Sequence, residues 1–179
     1  DGPSEKRKFL DIAISLVKPN YAVLLSKYNK AVFQRNALLK QISQTSKGED
    51  LLFAFDEEIA RYGGRIIDYR LNYIEDLKEF SSDVYREISS DREQMEIAYL
   101  NSLKEKGSNA SEWAEILYNE TVKNHKKDIM RLATNSGPHK DDLNILLSGM
   151  DARSYGSQGQ QRSCALALKL SEASILKKY

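Results

Sequence analysis

Residues 52–73 read LFAFDEEIARYGGRIIDYRLNY, and the spacing of their apolar side chains decides the fold. Leu52, Phe55, Ile59, Tyr62, Ile66, Tyr69 and Tyr73 alternate steps of three and four, the heptad spacing of a coiled-coil seam along one side of a helix. A strand would alternate with period two, so the stretch predicts a helix that needs a partner along its seam. Gly63 and Gly64 interrupt it. Each costs about 1 kcal/mol against Ala in a helix interior, so a bend or a close helix contact is expected there.

The partner stands just upstream. From Tyr21 to Ile42 apolar residues recur at Tyr21, Leu24, Tyr28, Ala31, Leu38 and Ile42, with Arg35 filling the one gap. The tract SQTSKGED (43–50) separates the two patterns, and Gly48 is a stop signal. Two helices joined by a short polar link fold back on each other. At ~1.5 Å per residue each reaches roughly 35 to 45 Å, so the hairpin is expected to project like an arm. Ordinary packing within a helical bundle explains the same seam. Ahead of the pair, Ser4 is placed to cap a helix from about Glu5 to Val17, and Pro19 suits the first turn of the next.

Beyond Phe80 the rhythm changes. In QMEIAYL (94–100) Met95, Ile97 and Tyr99 alternate with Gln94, Glu96 and Ala98, a half-buried strand. KEKGSNAS (104–111) is a loop, and a helix is expected from Ser111 to about Arg131, with Trp113, Ile116, Leu117 and Val122 on its apolar face. GPHKDD, LNILL, SGMDAR and SYGS then predict turn, strand, turn and strand over 137–157. A last helix starts at about Gln158. The class is α+β and mainly helical: a long antiparallel, coiled-coil-like helical hairpin, a small antiparallel sheet and a terminal helix. The expected divisions are a helical arm (1–80), a mixed segment (81–156) and the closing helix with its lead-in (157–179).

Totals narrow the function classes. With 27 basic against 26 acidic residues no global field draws the chain to nucleic acid or membrane, so any DNA contact must come from a local patch. The single cysteine, Cys164, forms no internal disulfide and suits a reducing, cytoplasmic setting. No apolar run is long enough to span a membrane, and no secretion signal stands at the start. The chain begins without Met and stops in mid-helix, as expected of a piece of something longer.

The closing stretch SYGSQGQQRSCALALKLSEASILKKY (154–179) carries the candidate chemistry. Ser157 and Gln160 have capping-box spacing at the head of the last helix. Such a start offers free amides and the positive end of the helix dipole, a place for a phosphate. Gly159 lets a ligand approach backbone, and Gln158, Gln161 and Arg162 add donors. Most capped helix starts meet only water.

GSQGQQRSCALALKLSEA resembles the signature motif of RecF, a bacterial recombination-repair ATPase family related to the ABC transporters and the chromosome-structuring ATPases. GPSEKRKFLD, PNYAVLLSKYNKAVFQRNALLK and GPHKDDLNILLSGMDARSYGSQGQQRS also resemble RecF segments, in RecF order, so the resemblance spans the chain and covers roughly half of a full-length member. The ABC pattern Leu-Ser-Gly-Gly-Gln falls on residues 156–160, with Gly156 in place of Leu and Gln158 in place of the first Gly. The resemblance implies that Ser157, Gly159 and Gln160, with Gln158, Gln161 and Arg162 around them, meet the γ-phosphate of ATP held by another subunit. It further implies an intact protein that binds ATP and Mg, pairs with itself on ATP, and is a weak DNA-dependent ATPase. Double-stranded DNA, its junctions with single strands, and RecR are the implied partners, in recombinase loading at gaps and the SOS response.

The catalytic half is missing from these residues. No Gly-x-x-x-x-Gly-Lys-Ser/Thr string occurs, and no strand ending in paired acids follows the signature helix, so the chain alone is expected neither to hydrolyse ATP nor to hold it. Catalytic and metal-ligating residues are expected to be none. His139, Asp141 and Asp142 could ligate a metal, but a turn before a strand explains them. His125 fits a solvated helix position, and Cys164 a small buried one. Lys27, Lys30, Arg35 and Lys40 along the first arm helix suit either DNA phosphates or a solvated face. The alternative function is a self-contained helical protein-interaction module with no nucleotide role.

Overall fold

A computed structural model describes residues 2–179. The chain runs α1 (Pro3–Val17), α2 (Pro19–Thr45), a 3-10 turn (Glu49–Leu51), α3 (Leu52–Ser89), β1 (Met95–Leu100), α4 (Ala110–Lys123), α5 (His125–Arg131), β2 (Asp142–Leu147), β3 (Met150–Asp151), α6 (Ala152–Tyr155) and α7 (Gln158–Lys178). The mainly helical α+β class therefore stands. No helix among the described residues is long and apolar enough to cross a membrane.

The residues gather into two units that do not follow chain order. One consists of Asn20–Tyr69 and Asn101–Lys140, the other of the residues through Pro19, Arg70–Leu100 and Asp141–Tyr179. The expected cuts at 80 and 156 are not where compactness divides the chain. The helix pair forms one body with α4 and α5, while α1 groups with the second half of α3, the sheet and α7.

In the helix-pair unit, α2 and the first half of α3 run antiparallel. Ile42 clusters with Leu52, Arg35 meets Asp56, and the rings of Tyr21 and Tyr69 meet edge-on at 5.7 Å, so each step along one helix is matched by a step back along the other. The seam read from sequence is buried at Tyr21, Leu24, Tyr28, Ala31, Leu38 and Ile42, and across from them at Leu52, Ile59 and Ile66. The buried face of α3 is wider than a two-helix seam, taking in Asp56, Ala60, Gly63, Gly64 and Ile67. The reason is α4. A side chain on Gly64 would come within 2.5 Å of the Ala114 amide and 2.6 Å of the Ala110 carbonyl, and one on Gly63 would strike Leu117. The glycines thus serve a close helix contact, and α3 passes through them unbroken.

Arg35 is 0% exposed. Its Nε donates to Asp56 at 2.8 Å, and its Nη1 to Asp128 at 2.7 Å and Thr134 at 3.0 Å. The helix expected to run to Arg131 instead breaks at Asn124, whose amide donates to the Glu120 carbonyl at 2.8 Å. The restart as α5 brings Asp128 to Arg35 and His125 to Asp56, with a 2.5 Å contact from His125 Nε2. His125 is therefore not a solvated residue; its ring also packs against Phe53. Asn109 caps α4, which starts at Ala110, one residue ahead of the expected Ser111, by accepting from the amides of Ser111 and Glu112.

In the other unit, α1 starts one residue ahead of Ser4, since Pro3 has the fixed φ and missing N–H that suit a first helical position. Leu10, Ala13 and Ile14 are its buried side. Strands β1 and β2 pair antiparallel, Met95 opposite Leu147 and Leu100 opposite Asp142, and β3 extends the sheet from β2. The two-residue turn between β2 and β3, Ser148 (φ 48) and Gly149 (φ 83), has the positive φ values that match strand twist. SYGS, expected as a strand, instead ends the short helix α6 and leads into α7, because the Asp151 carboxylate accepts from the Ser154 amide at 2.8 Å and starts a helical turn.

Candidate phosphate-contact site at the start of the last helix

The hairpin of β2 and β3 delivers the chain to α6, and Gly156 (φ −74, ψ 139) and Ser157 (φ −60, ψ 161) carry it extended into α7. A methyl on Gly156 would collide with the Ala152 carbonyl, so glycine here is a packing requirement. The capping box is formed: Ser157 Oγ accepts from the Gln160 amide at 3.2 Å, and Gln160 Oε1 accepts from the Ser157 amide at 2.7 Å. Gln161 Nε2 donates to the carbonyls of Gly156 (3.0 Å) and Arg153 (3.2 Å), pinning the turn ahead of the helix.

Gln160 does more than cap. Its Nε2 donates to Glu93, just past α3, and Glu93 also accepts from the Tyr85 hydroxyl at 2.9 Å. Both ends of the Gln160 side chain are thus committed inside the protein, so Gln160 holds Ser157 in place instead of offering a free donor. Burial, and then Glu93, raise the Tyr85 pKa. Cys164, buried in the same corner, has its thiol pushed up to about 11 by desolvation and then by Glu93, the opposite of a nucleophilic cysteine.

What stays available is a small donor set. Ser157, Gln158, Gly159, Gln161 and Arg162 are exposed. The first amides of a helix lack intrahelical partners, and with Gln160 capped and Gln161 bonded back to the Ser157 carbonyl, those of Gln158 and Gly159 are the ones left without one, on exposed residues beside the Ser157 hydroxyl. A methyl on Gly159 would meet nothing nearer than Ser157 Oγ at 3.9 Å, so no packing demand explains the glycine. The first turn holds no acidic residue of its own, and the carboxylate that approaches it, Glu93, is taken up by the Gln160 side chain and the Tyr85 hydroxyl. The donor set fits a terminal phosphate. Beside it opens a cavity of about 460 Å³ whose walls include Lys6, Phe9, Ile145, Gln158, Arg162 and Lys169.

The other sequence candidates fall apart from this site. Lys27, Lys30 and Lys40 are exposed on α2, but Arg35 is buried against two carboxylates and presents no charge to DNA. A cation in the gap of an apolar seam was the signal for this. His139 bonds the Tyr28 hydroxyl at 2.7 Å and the Thr134 carbonyl at 2.9 Å, Asp141 accepts from Tyr99 at 2.5 Å, and Asp142 pairs with Lys6 at 2.9 Å. These three residues hold different parts of the chain and do not converge. No sequence pattern marked Glu93 or Tyr85 as supports of the signature helix.

No protein-family model matches the chain. Among curated proteins it is 48% identical over 177 residues to the DNA replication and repair protein RecF of Caldanaerobacter subterraneus subsp. tengcongensis, covering 98% of this chain and 48% of the relative. It is 42% identical to the RecF of Thermoanaerobacter sp. strain X514, covering 99% of this chain and 49% of that protein. Two solved structures of the recombination mediator protein RecF in the RecFOR pathway, described as RecF-ATPrS and RecF-ATP, superpose with TM-scores of 0.94 and 0.93 at 47% identity. They cover 99% of this chain and 48% and 47% of the solved ones. The chain spans about half the length of the relatives it matches.

Proposed function

We propose, from a chain that corresponds in sequence and backbone to about half of a RecF protein, that it supplies the in-trans phosphate contact of a RecF-type recombination mediator. The observation that carries this reading is the helix start itself. Gln160 locks Ser157 to Glu93, the exposed Gln158 and Gly159 have no intrahelical partner for their amides, and Gly159 stands open where packing asks for no glycine. In the intact protein a second copy presents ATP with Mg, and Ser157 Oγ donates to its γ-phosphate while the two amides complete the contact. These bonds exist only between subunits, so ATP shifts the population toward the pair. Hydrolysis removes the group they grip and releases the pair.

In the paired state the protein holds double-stranded DNA near a junction with a single strand and, with RecR, helps load recombinase at gaps in the bacterial cytoplasm. The exposed Lys27, Lys30 and Lys40 are the phosphate contacts on α2, and the helix-pair unit is the docking surface for RecR. With no P-loop among its residues, the 179-residue chain alone is expected to turn over no ATP above buffer in a phosphate-release assay.

The test is Ser157→Arg in a full-length protein carrying this chain, with self-association followed by sedimentation. The unmodified protein pairs on addition of ATP and the variant stays monomeric at the same concentration. If the variant pairs as readily, the helix start does not grip nucleotide.

A further inference from the structure

The helix-pair unit has a second exposed feature, where α5 lies against α2. Asn36 accepts from the Thr134 amide at 2.7 Å and its hydroxyl at 2.8 Å, and Ile129 packs against the cluster of Leu38, Leu39, Ile42 and Leu52. One turn from Asn36, Phe33 is 76% exposed, and Met130 of α5 is 78% exposed. Leu132, just past α5, is 39% exposed and holds φ 56, a left-handed conformation that a helix end normally gives to Gly or Asn. The packed pair of helices thus exposes three large apolar side chains on α2, on α5 and just past α5, one of them on backbone that disfavours it.

The two helices themselves expose charge of one sign, while the adjoining turn exposes Glu49 and Asp50. Helix α2 contains no Asp or Glu, and the only carboxylate of α5, Asp128, is buried against Arg35. Lys27, Lys30 and Lys40 on α2 and Lys126, Lys127 and Arg131 on α5 are all exposed, in a chain whose charges nearly cancel in total. Protein interfaces are depleted in Lys, whereas lysines beside an exposed aromatic ring are what a single-stranded nucleic acid uses: phosphates on the cations, a base on the ring. A paired duplex keeps its base faces stacked inside, so Phe33 would have no work against it.

We infer that this junction binds the single-stranded portion of a nucleic acid, with an unpaired base stacked on Phe33 beside Met130 and Leu132 and with the α2 and α5 cations on the flanking phosphates. The inference rests on the DNA reading above and adds to it the kind of strand and the residue that meets it.

The probes are a short DNA duplex with a single-stranded tail containing 2-aminopurine, and the same duplex blunt, each titrated with the full chain. The tail should tighten binding and change the 2-aminopurine emission. Phe33→Ala should weaken tailed-probe binding roughly tenfold and abolish the emission change, leaving blunt-duplex affinity and far-UV circular dichroism unaltered, and Phe33→Tyr should restore both. Unchanged emission and affinity in Phe33→Ala, with blunt duplex still bound through the α2 lysines, would overturn the inference alone. Failure of both probes to bind would remove the DNA reading as well. If Phe33→Ala leaves DNA untouched but abolishes binding of a short peptide alternating Glu and Phe, the surface docks protein and the inference is wrong.

Discussion

A methyl group on Gly156 would strike the Ala152 carbonyl, whereas one on Gly159 would find open space. The two glycines should therefore answer oppositely to the same change. Gly156→Ala is expected to lower stability by about 1–3 kcal/mol in a urea titration, as overpacking does. Gly159→Ala should hold stability or raise it by up to about 1 kcal/mol, since Ala is the better helix former, while weakening ATP-driven pairing of the full-length protein. Equal losses of stability would contradict this account of both positions. The capping box was legible because Ser-x-x-Gln is a local pattern. Its anchor, Glu93, lies 67 residues away in sequence, and no local pattern points to a partner at that distance.

Among elements, α2 shows how one residue can be placed correctly and its work misjudged. The three-and-four spacing put Arg35 on the buried seam, and that alone removes it from a solvent face. A buried cation must find carboxylates, which Asp56 and Asp128 provide from two other helices. Arg35→Met should destabilise the chain by about 3–5 kcal/mol, because two buried carboxylates lose their cation. Lys27→Ala and Lys30→Ala should stay within about 0.5 kcal/mol by the same denaturant midpoint. Matching midpoints for all three variants would mean that the buried network contributes nothing. The break at Asn124 was not legible, since apolar periodicity runs through it while the Asn124 cap ends α4 and the restart brings Asp128 to Arg35. Periodicity reports which side of a helix is buried, not where tertiary bonds interrupt it.

For the whole molecule, the fold class was legible and the division into units was not. A reading in chain order cannot show that 101–140 returns to the helix pair while the chain's two ends join the second half of α3. Four buried acids in one unit share a direction of shift. Tyr73, Tyr85, Tyr99 and Cys164 all belong to the unit containing α7, and burial raises the pKa of each. A raised folded-state pKa means stability that is complete below the unfolded value and lost as pH climbs. For Cys164 that window runs from 9.0 to about 11, and the tyrosine losses begin above 10.0. Urea midpoints read by circular dichroism should fall steadily from pH 9 to 11. A flat profile would remove these buried groups as contributors. The close approach of Gly64 to Ala110 and Ala114 bears on descent as well as on packing. A lineage that adds bulk at any of these positions must shed it at a neighbour, so the three should be inherited together, while Phe33 and the surface lysines remain free to track whatever they bind.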